Sequence, residues 1–164
     1  MASSRRHAPA AATHRAGPTR AAPRPSDLTG AWAFHRWRIT YEDGSVTEPF
    51  GEGATGLLLY TPDGAMSATI MAGGRAPLSS GNPRSASMDE RAAAFDGYFS
   101  YAGRWRMSRG VIEHVVTVAL NPGLVGTRQW RDADLRGRRL TLSVEEPSPR
   151  GLRRHALEWR RPRR

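Results

Sequence analysis

Between residues 31 and 160, Gly-, Pro- and Asp-rich turn signals cut the chain into eight short segments. This punctuation limits the possible folds more than any other feature. The segments are 31–41, 55–61, 65–71, 98–107, 111–120, 126–135, 138–145 and 152–160. Asp43-Gly44, Pro62-Asp63-Gly64, Arg109-Gly110, Asn121-Pro122-Gly123, Gly137 and Pro147-Ser148-Pro149 stand between them. Each segment is rich in β-branched, aromatic or alternating apolar residues, the signature of a half-buried strand. In the first, Trp32 and Phe34 share one parity, whereas Trp37, Ile39 and Tyr41 share the other, which predicts a β-bulge near His35 and Arg36. The one good helix signal is a capping box from Ser87 to Glu90, which opens a helix over 88–95 that Gly97 ends. This helix falls between the third and fourth expected strands. The resulting expectation is an all-β protein: an eight-stranded antiparallel barrel with one short helix, closed so that no strand edge is left open.

Charge divides the chain differently. All 25 cationic residues are arginine, and the formal net charge is +10. Residues 1–26 hold five arginines, no acid and no large apolar residue beyond Met1. Such a stretch cannot bury enough surface to offset its ordering entropy and reads as a disordered Arg/Ala/Pro-rich tail. Residues 161–164 read as a second basic tail. Residues 27–160 are then the single folded domain, and from 27 to 159 they carry 16 arginines against 15 acids. Basic tails attract polyanions weakly and in a salt-sensitive way, but arginine runs without interleaved aromatics argue against specific nucleic-acid recognition.

With no lysine and no cysteine, Schiff-base chemistry, thiol nucleophiles and thiolate metal sites are excluded. His7, His14, His35, His114 and His155 are too dispersed to suggest a metal site, and no dinucleotide or phosphate-loop motif suggests a cofactor. No apolar run approaches the ~20 residues of a membrane span. Arg5-Arg6 is not followed by an apolar stretch, so a soluble, non-exported, cytoplasmic protein is expected.

Four stretches resemble the lipocalin-like domain family of bacteria and fungi, a branch of the calycin-type β-barrels. Gly30-Ala31-Trp32 is similar to the opening of lipocalin strand A. The run from Tyr60 through Pro62-Asp63-Gly64 to Met66 resembles a hairpin of that set, and residues 92–101 resemble its helix-to-strand junction. His114, followed by Asn121 to Arg131, resembles its histidine strand, proline turn and Gly-x-x-Gln-x-Arg strand. A proline commonly precedes the asparagine of that turn, whereas here the order is Asn121-Pro122, so no role is carried over to Asn121. The resemblance implies a barrel over roughly residues 27–160 that binds small molecules. It also implies that a late arginine packs across the strand A tryptophan, here Arg160 on Trp32. Relatives of this group include carriers and enzymes of secondary metabolism, and the fold alone does not choose between them.

The site candidates follow from the two-residue period of a strand. Thr127, Gln129 and Arg131 share one face. If that face is internal, Arg131 binds a carboxylate, enolate or phenolate and Gln129 orients it; alternatively Arg131 pairs with an acid such as Glu113. His114 shares a face with Ile112, Val116 and Val118 and is the candidate general acid or base; alternatively it is a hydrogen-bonded core histidine. Tyr60, Tyr98 and Tyr101 are candidate ligand-binding hydroxyls, with Trp37 and Phe99 as apolar walls, although aromatics also simply fill small barrels. Two functions compete. One is a cofactor-independent cyclase or isomerase acting on a hydrophobic secondary metabolite, with the 88–95 helix as a lid. The other is a non-catalytic carrier of a similar hydrophobic ligand.

Overall fold

A computed structural model describes residues 22–163. Most of the expected basic N-terminal tail, residues 1–21, lies outside the described residues. The ordered chain begins with a single helical turn, α1 (Pro25–Leu28), in which Pro25 occupies the first turn and Asp27 caps the Arg24 amide.

Nine strands follow: β1 (Gly30–Tyr41), β2 (Val46–Thr47), β3 (Thr55–Tyr60), β4 (Ala65–Met71), β5 (Tyr98–Ser108), β6 (Val111–Ala119), β7 (Arg128–Arg136), β8 (Arg139–Ser148) and β9 (Gly151–Arg160). All neighbouring pairs are antiparallel. β1 closes the sheet by pairing with both β3 and β9, so eight strands form a closed barrel and β2 hangs on the end of β1. The register shifts between Phe34 and Arg36, which places the bulge at His35 as the apolar parity predicts.

The helix position needs correction. The helix α2 (Met88–Asp96) follows the fourth strand, not the third, because Val46 and Thr47 form a strand of their own. Both side chains are exposed, and a two-residue strand has too few side chains to show a periodicity. Ser87 and Glu90 close the expected capping box on α2. Among the described residues no helix is long and apolar enough to cross a membrane.

The core fills one end of the barrel. Leu28, Trp32, Tyr60, Leu58, Ile112, Leu140 and Trp159 are each at most 1% exposed. Leu28 enters that end as a plug, and its carbonyl accepts the Trp32 indole N–H at 2.7 Å. Burying a leucine side chain contributes about 1.5–3 kcal/mol. The arginine over Trp32 is Arg161, not Arg160: its guanidinium carbon lies 4.2 Å from the ring centroid. Arg161 also donates to the carbonyls of Thr29, at 3.1 Å, and Asp27, at 2.5 Å. Strand alternation explains the shift. Trp159 points inward, so Arg160 points out and contacts His35 at 2.9 Å, whereas the chain leaving β9 turns Arg161 back across the barrel floor.

This floor yields a test. Arg161→Ala removes one cation–π contact and two hydrogen bonds, for an expected loss of about 2 kcal/mol. Arg160→Ala, at the surface, is expected to change stability by less than about 0.5 kcal/mol. Urea denaturation of the two variants measures the difference; equal losses would show that Arg161 does not hold the floor.

Candidate functional site

Above the core, the other half of the barrel is partly hollow. A cavity of about 220 Å³ is walled mostly by apolar side chains, among them Ile70, Leu142, Val144 and Leu157. Its aromatic walls include Trp37 and Phe99, as the sequence suggested. Its polar groups are Tyr101, Gln129, Arg131, Glu146 and His155.

Gln129 and Arg131 face inward and line the cavity together. The Asn121 turn sets them there. The Asn121 side chain accepts from the Gly123 amide at 2.9 Å and stabilises a one-turn 3-10 helix, Pro122–Leu124. The Leu124 carbonyl accepts the Thr127 hydroxyl at 2.7 Å, and Thr127 accepts the Gln129 amide at 2.9 Å. The Gln129 side-chain oxygen then lies 3.5 Å from the Arg131 guanidinium, whose other nitrogen donates to the Trp130 carbonyl at 2.6 Å. This line along the inner face of β7 orients the guanidinium without neutralising it. Among the described residues Arg131 forms no ion pair. The pairing with Glu113 does not occur: Glu113 sits on the outer face of β6 between Arg106 and Arg128, the latter at 2.5 Å.

His114 is fully buried and stands behind the cavity wall, not on it. Its Nε2 is 2.7 Å from the Tyr60 hydroxyl, and its Nδ1 is 2.8 Å from the Tyr101 hydroxyl. Burial is the main cause that lowers its pKa to about 3, and the positive Arg131 adds to the shift. The imidazole is therefore neutral, with one donor and one acceptor nitrogen. Tyr60, 1% exposed, has no other hydrogen-bond partner among the described residues, so its hydroxyl is satisfied only by donating to Nε2. Nδ1 then carries the proton and donates to Tyr101. This assignment, made from the network, leaves the Tyr101 O–H free to point into the cavity. Burial raises the pKa of both tyrosines, that of Tyr60 well above its ordinary value, while Arg131 opposes the rise. Tyr60 thus supports His114 from the core side, and only Tyr101 borders the cavity. Tyr98 does not line the cavity: its ring lies at the mouth, 5.3 Å from the Arg75 guanidinium carbon.

Two cavity residues were missed in the sequence. His155 Nδ1 accepts the Trp37 indole N–H at 3.2 Å, so its proton resides on Nε2. That buried Nε2 lies 3.2 Å from a Glu146 carboxylate oxygen but outside hydrogen-bonding geometry, and it has no hydrogen-bond partner. Burial lowers the His155 pKa, and Glu146 opposes this. Glu146 is held by Arg153 at 2.5 Å. The signal for both was the two-residue period: His155 shares its face with Leu157 and Trp159, and Glu146 shares its face with Leu142 and Val144. Trp159, whose ring lines the cavity, also has a buried indole N–H with no partner. An unpaired buried donor costs about 1–3 kcal/mol. Tyr101 and Arg131, on the wall of an otherwise mostly apolar cavity, suit it to hydrogen-bond acceptors.

The His114 environment predicts an acid response. Its folded pKa of about 3 lies below the unfolded value of about 6.5. The unfolded chain therefore takes up the proton first, and the contribution of the neutral histidine is lost as pH falls from about 6.5 towards 3. The slope approaches 1.4 kcal/mol per pH unit, as an order of magnitude. His114→Gln should unfold more easily at neutral pH yet lose less stability between about pH 6 and pH 4. Urea titrations at the two pH values measure this, and parallel acid dependence in both proteins would contradict it.

Comparison with curated proteins and with solved structures gives no match. The sequence model of the lipocalin-like domain matches residues 29–162, a span that includes the Trp32–Arg161 floor, the β1–β9 closure and every cavity-lining residue. The chain belongs to the lipocalin-like domain family.

Proposed function

We propose that the barrel binds a small, mostly apolar molecule with an acceptor-rich end, and acts on it as a cofactor-independent isomerase or cyclase of secondary metabolism. The supporting observation is the surplus of donors at one apolar cavity. The Tyr101 hydroxyl side and the Arg131 guanidinium line it, and Arg131 forms no ion pair among the described residues. Small-molecule pockets combine an apolar lining with a few placed polar groups, usually in about 300–1,000 Å³. At about 220 Å³, this cavity suits a compact ligand of one or two fused rings.

The chemistry such a site supports is enolisation next to a carbonyl. Arg131, oriented by Gln129, stabilises negative charge developing on the carbonyl oxygen, and Tyr101 donates a hydrogen bond to it. His114 acts through Tyr101 as a positioning residue: its Nδ1–H holds the phenol oxygen and turns the O–H towards the ligand. Glu146 is the carboxylate at the cavity and accepts the proton removed from carbon. A cytoplasmic setting fits a chain without cysteine.

A carrier of the same ligand is the second reading. It is favoured by one observation: both His114 nitrogens are already satisfied by tyrosines. Native mass spectrometry of the full chain incubated with cell extract, followed by chromatography of the released molecule, separates the two readings. Isomerisation leaves mass unchanged, so retention time and fragmentation carry the result. A released compound that differs from the input, and is lost with Tyr101→Phe, supports catalysis. Unchanged release supports carriage.

Anion recognition is tested independently with two probes, naphthalene-2-carboxylate and its neutral carboxamide. A charge-assisted hydrogen bond contributes about 1.5–3 kcal/mol, so calorimetry should show the carboxylate binding at least about tenfold tighter. Arg131→Gln should abolish that preference. Equal affinities in the wild-type protein would remove Arg131 from the binding role.

A further inference from the structure

The barrel has two unlike ends. Around the cavity mouth lie exposed apolar side chains, including Val46, Met71, Phe95, Val118, Val125 and Leu152. At the floor end arginine dominates, with Leu57 and Leu59, opposite Ala33 and Ala31, as the exposed apolar side chains beside it.

There, Arg136, Arg139 and Arg160 stand directly opposite one another on β7, β8 and β9: Arg136 pairs in register with Arg139, and Arg139 with Arg160. Adjacent strands are about 4.8 Å apart, so the three guanidinium groups form a row about 10 Å long at its base. Like charges directly opposite are destabilising in a sheet. Local acids relieve this row only in part. Asp134 pairs with Arg136 at 2.7 Å, and Arg160 donates to the neutral acceptor His35 at 2.9 Å. Arg139, at the centre, has no hydrogen-bond or ion-pair partner among the described residues. Glu158 lies on β9 opposite Arg36 and Thr141.

These three arginines, with Arg138 as a fourth, line a shallow hollow of about 400 Å³. A second hollow, of about 590 Å³, continues past Arg138 to Arg161 and Arg163. Chain connectivity adds to this polarity. The segment before α1 reaches the β5–β6 turn, where Ala22 Cβ lies 3.4 Å from the position a Cβ on Gly110 would take. The chain also leaves β9 at this end. Both arginine-rich termini, which hold most of the +10 net charge, therefore join the barrel at its floor.

We propose that the arginine row on the barrel floor is a sequence-independent binding surface for the phosphodiester backbone of nucleic acid. A linear series of forked cations matches a linear series of phosphates, and arginine meets phosphate oxygens in bidentate fashion. The exposed Trp130 lies six residues before Arg136 on β7, about 20 Å away, so among the described residues no exposed aromatic stands within the row to stack on bases and base identity is not read. The surface is opposite the cavity mouth and leaves it open to ligand.

The test uses the full chain and a short labelled DNA duplex, with anisotropy measured between ~50 and ~200 mM salt. Each phosphate neutralised contributes about 0.9 to the slope of log affinity against log salt, so Arg136→Ser/Arg139→Ser/Arg160→Ser should flatten the slope by about 2 to 3. It should also weaken binding at least tenfold at low salt. Retained naphthalene-2-carboxylate binding shows that this variant is folded. A full-length variant with Arg5, Arg6, Arg15 and Arg20 changed to Ser isolates the tail: it should keep the part of the slope that the row supplies. Duplexes of unrelated sequence should bind alike. The proposal is overturned if wild-type protein does not bind DNA, if the triple variant keeps the wild-type slope, or if affinity follows DNA sequence. Row-dependent binding to phosphatidylglycerol vesicles without binding to DNA would also overturn it.

Discussion

Closure of β1 onto β9 is the contact on which the rest of the molecule depends. It runs from Ala33 opposite Arg160 to Tyr41 opposite Arg153, and it passes through the bulge at His35. Without the bulge, Trp32 and Trp37 could not both face inward, because they are five positions apart and a regular strand alternates every residue. With it, one strand sends Trp32 into the floor and Trp37 to the cavity wall. The floor core, the Arg161 clamp and the hollow above them are consequences of that one inserted residue. Closure also satisfies the edge groups of β1 and β9 that would otherwise remain open for pairing with another chain.

The cavity shows how a small barrel keeps polar groups inside without collapsing around them. His114 is buried as a neutral base between two phenols, so no charge has to be desolvated there. Arg131 keeps its charge near the opening, supported by an amide and a backbone carbonyl instead of a carboxylate. That choice leaves the positive potential directed into the hollow. The same potential depresses the His114 pKa and opposes the burial-driven rise at Tyr101, which couples the two halves of the site across the gap between β5 and β7. By contrast, Glu113 on the outer face is fully neutralised by two arginines and takes no part in the cavity.

The distribution of charge is as uneven as that of apolar surface. Residues 27–159 are almost neutral in sum, yet the folded surface is not uniformly neutral, because strand register gathers Arg136, Arg139 and Arg160 at one end. A sum over the sequence conceals this, since residues 24 positions apart become neighbours only when the sheet is laid out.

Local rules made much of this legible. Turn residues marked the eight long strands, the capping box marked α2, and parity marked the bulge, because each signal spans only a few residues. Period two likewise put Gln129 and Arg131 on one face of β7, which the structure turns inward. The sequence did not reveal β2, too short to show a period, and so α2 was placed one strand too early. Nor did it distinguish Arg160 from Arg161 at the floor, because that depends on how the chain turns after its last strand. His114, Tyr60 and Tyr98 were grouped with the cavity, but depth along a barrel is set by register and shear among several strands, which put His114 and Tyr60 behind Tyr101 and left Tyr98 at the rim. His155 and Glu146 were overlooked although their parity was readable, since parity says only that a residue faces inward. The sequence by itself determined the eight long strands, which residues share a face on each, and the family. Tertiary structure alone decided which inward groups meet across the hollow, which keep unpaired donors, and which surface arginines share one end, because these are distances between strands remote in sequence.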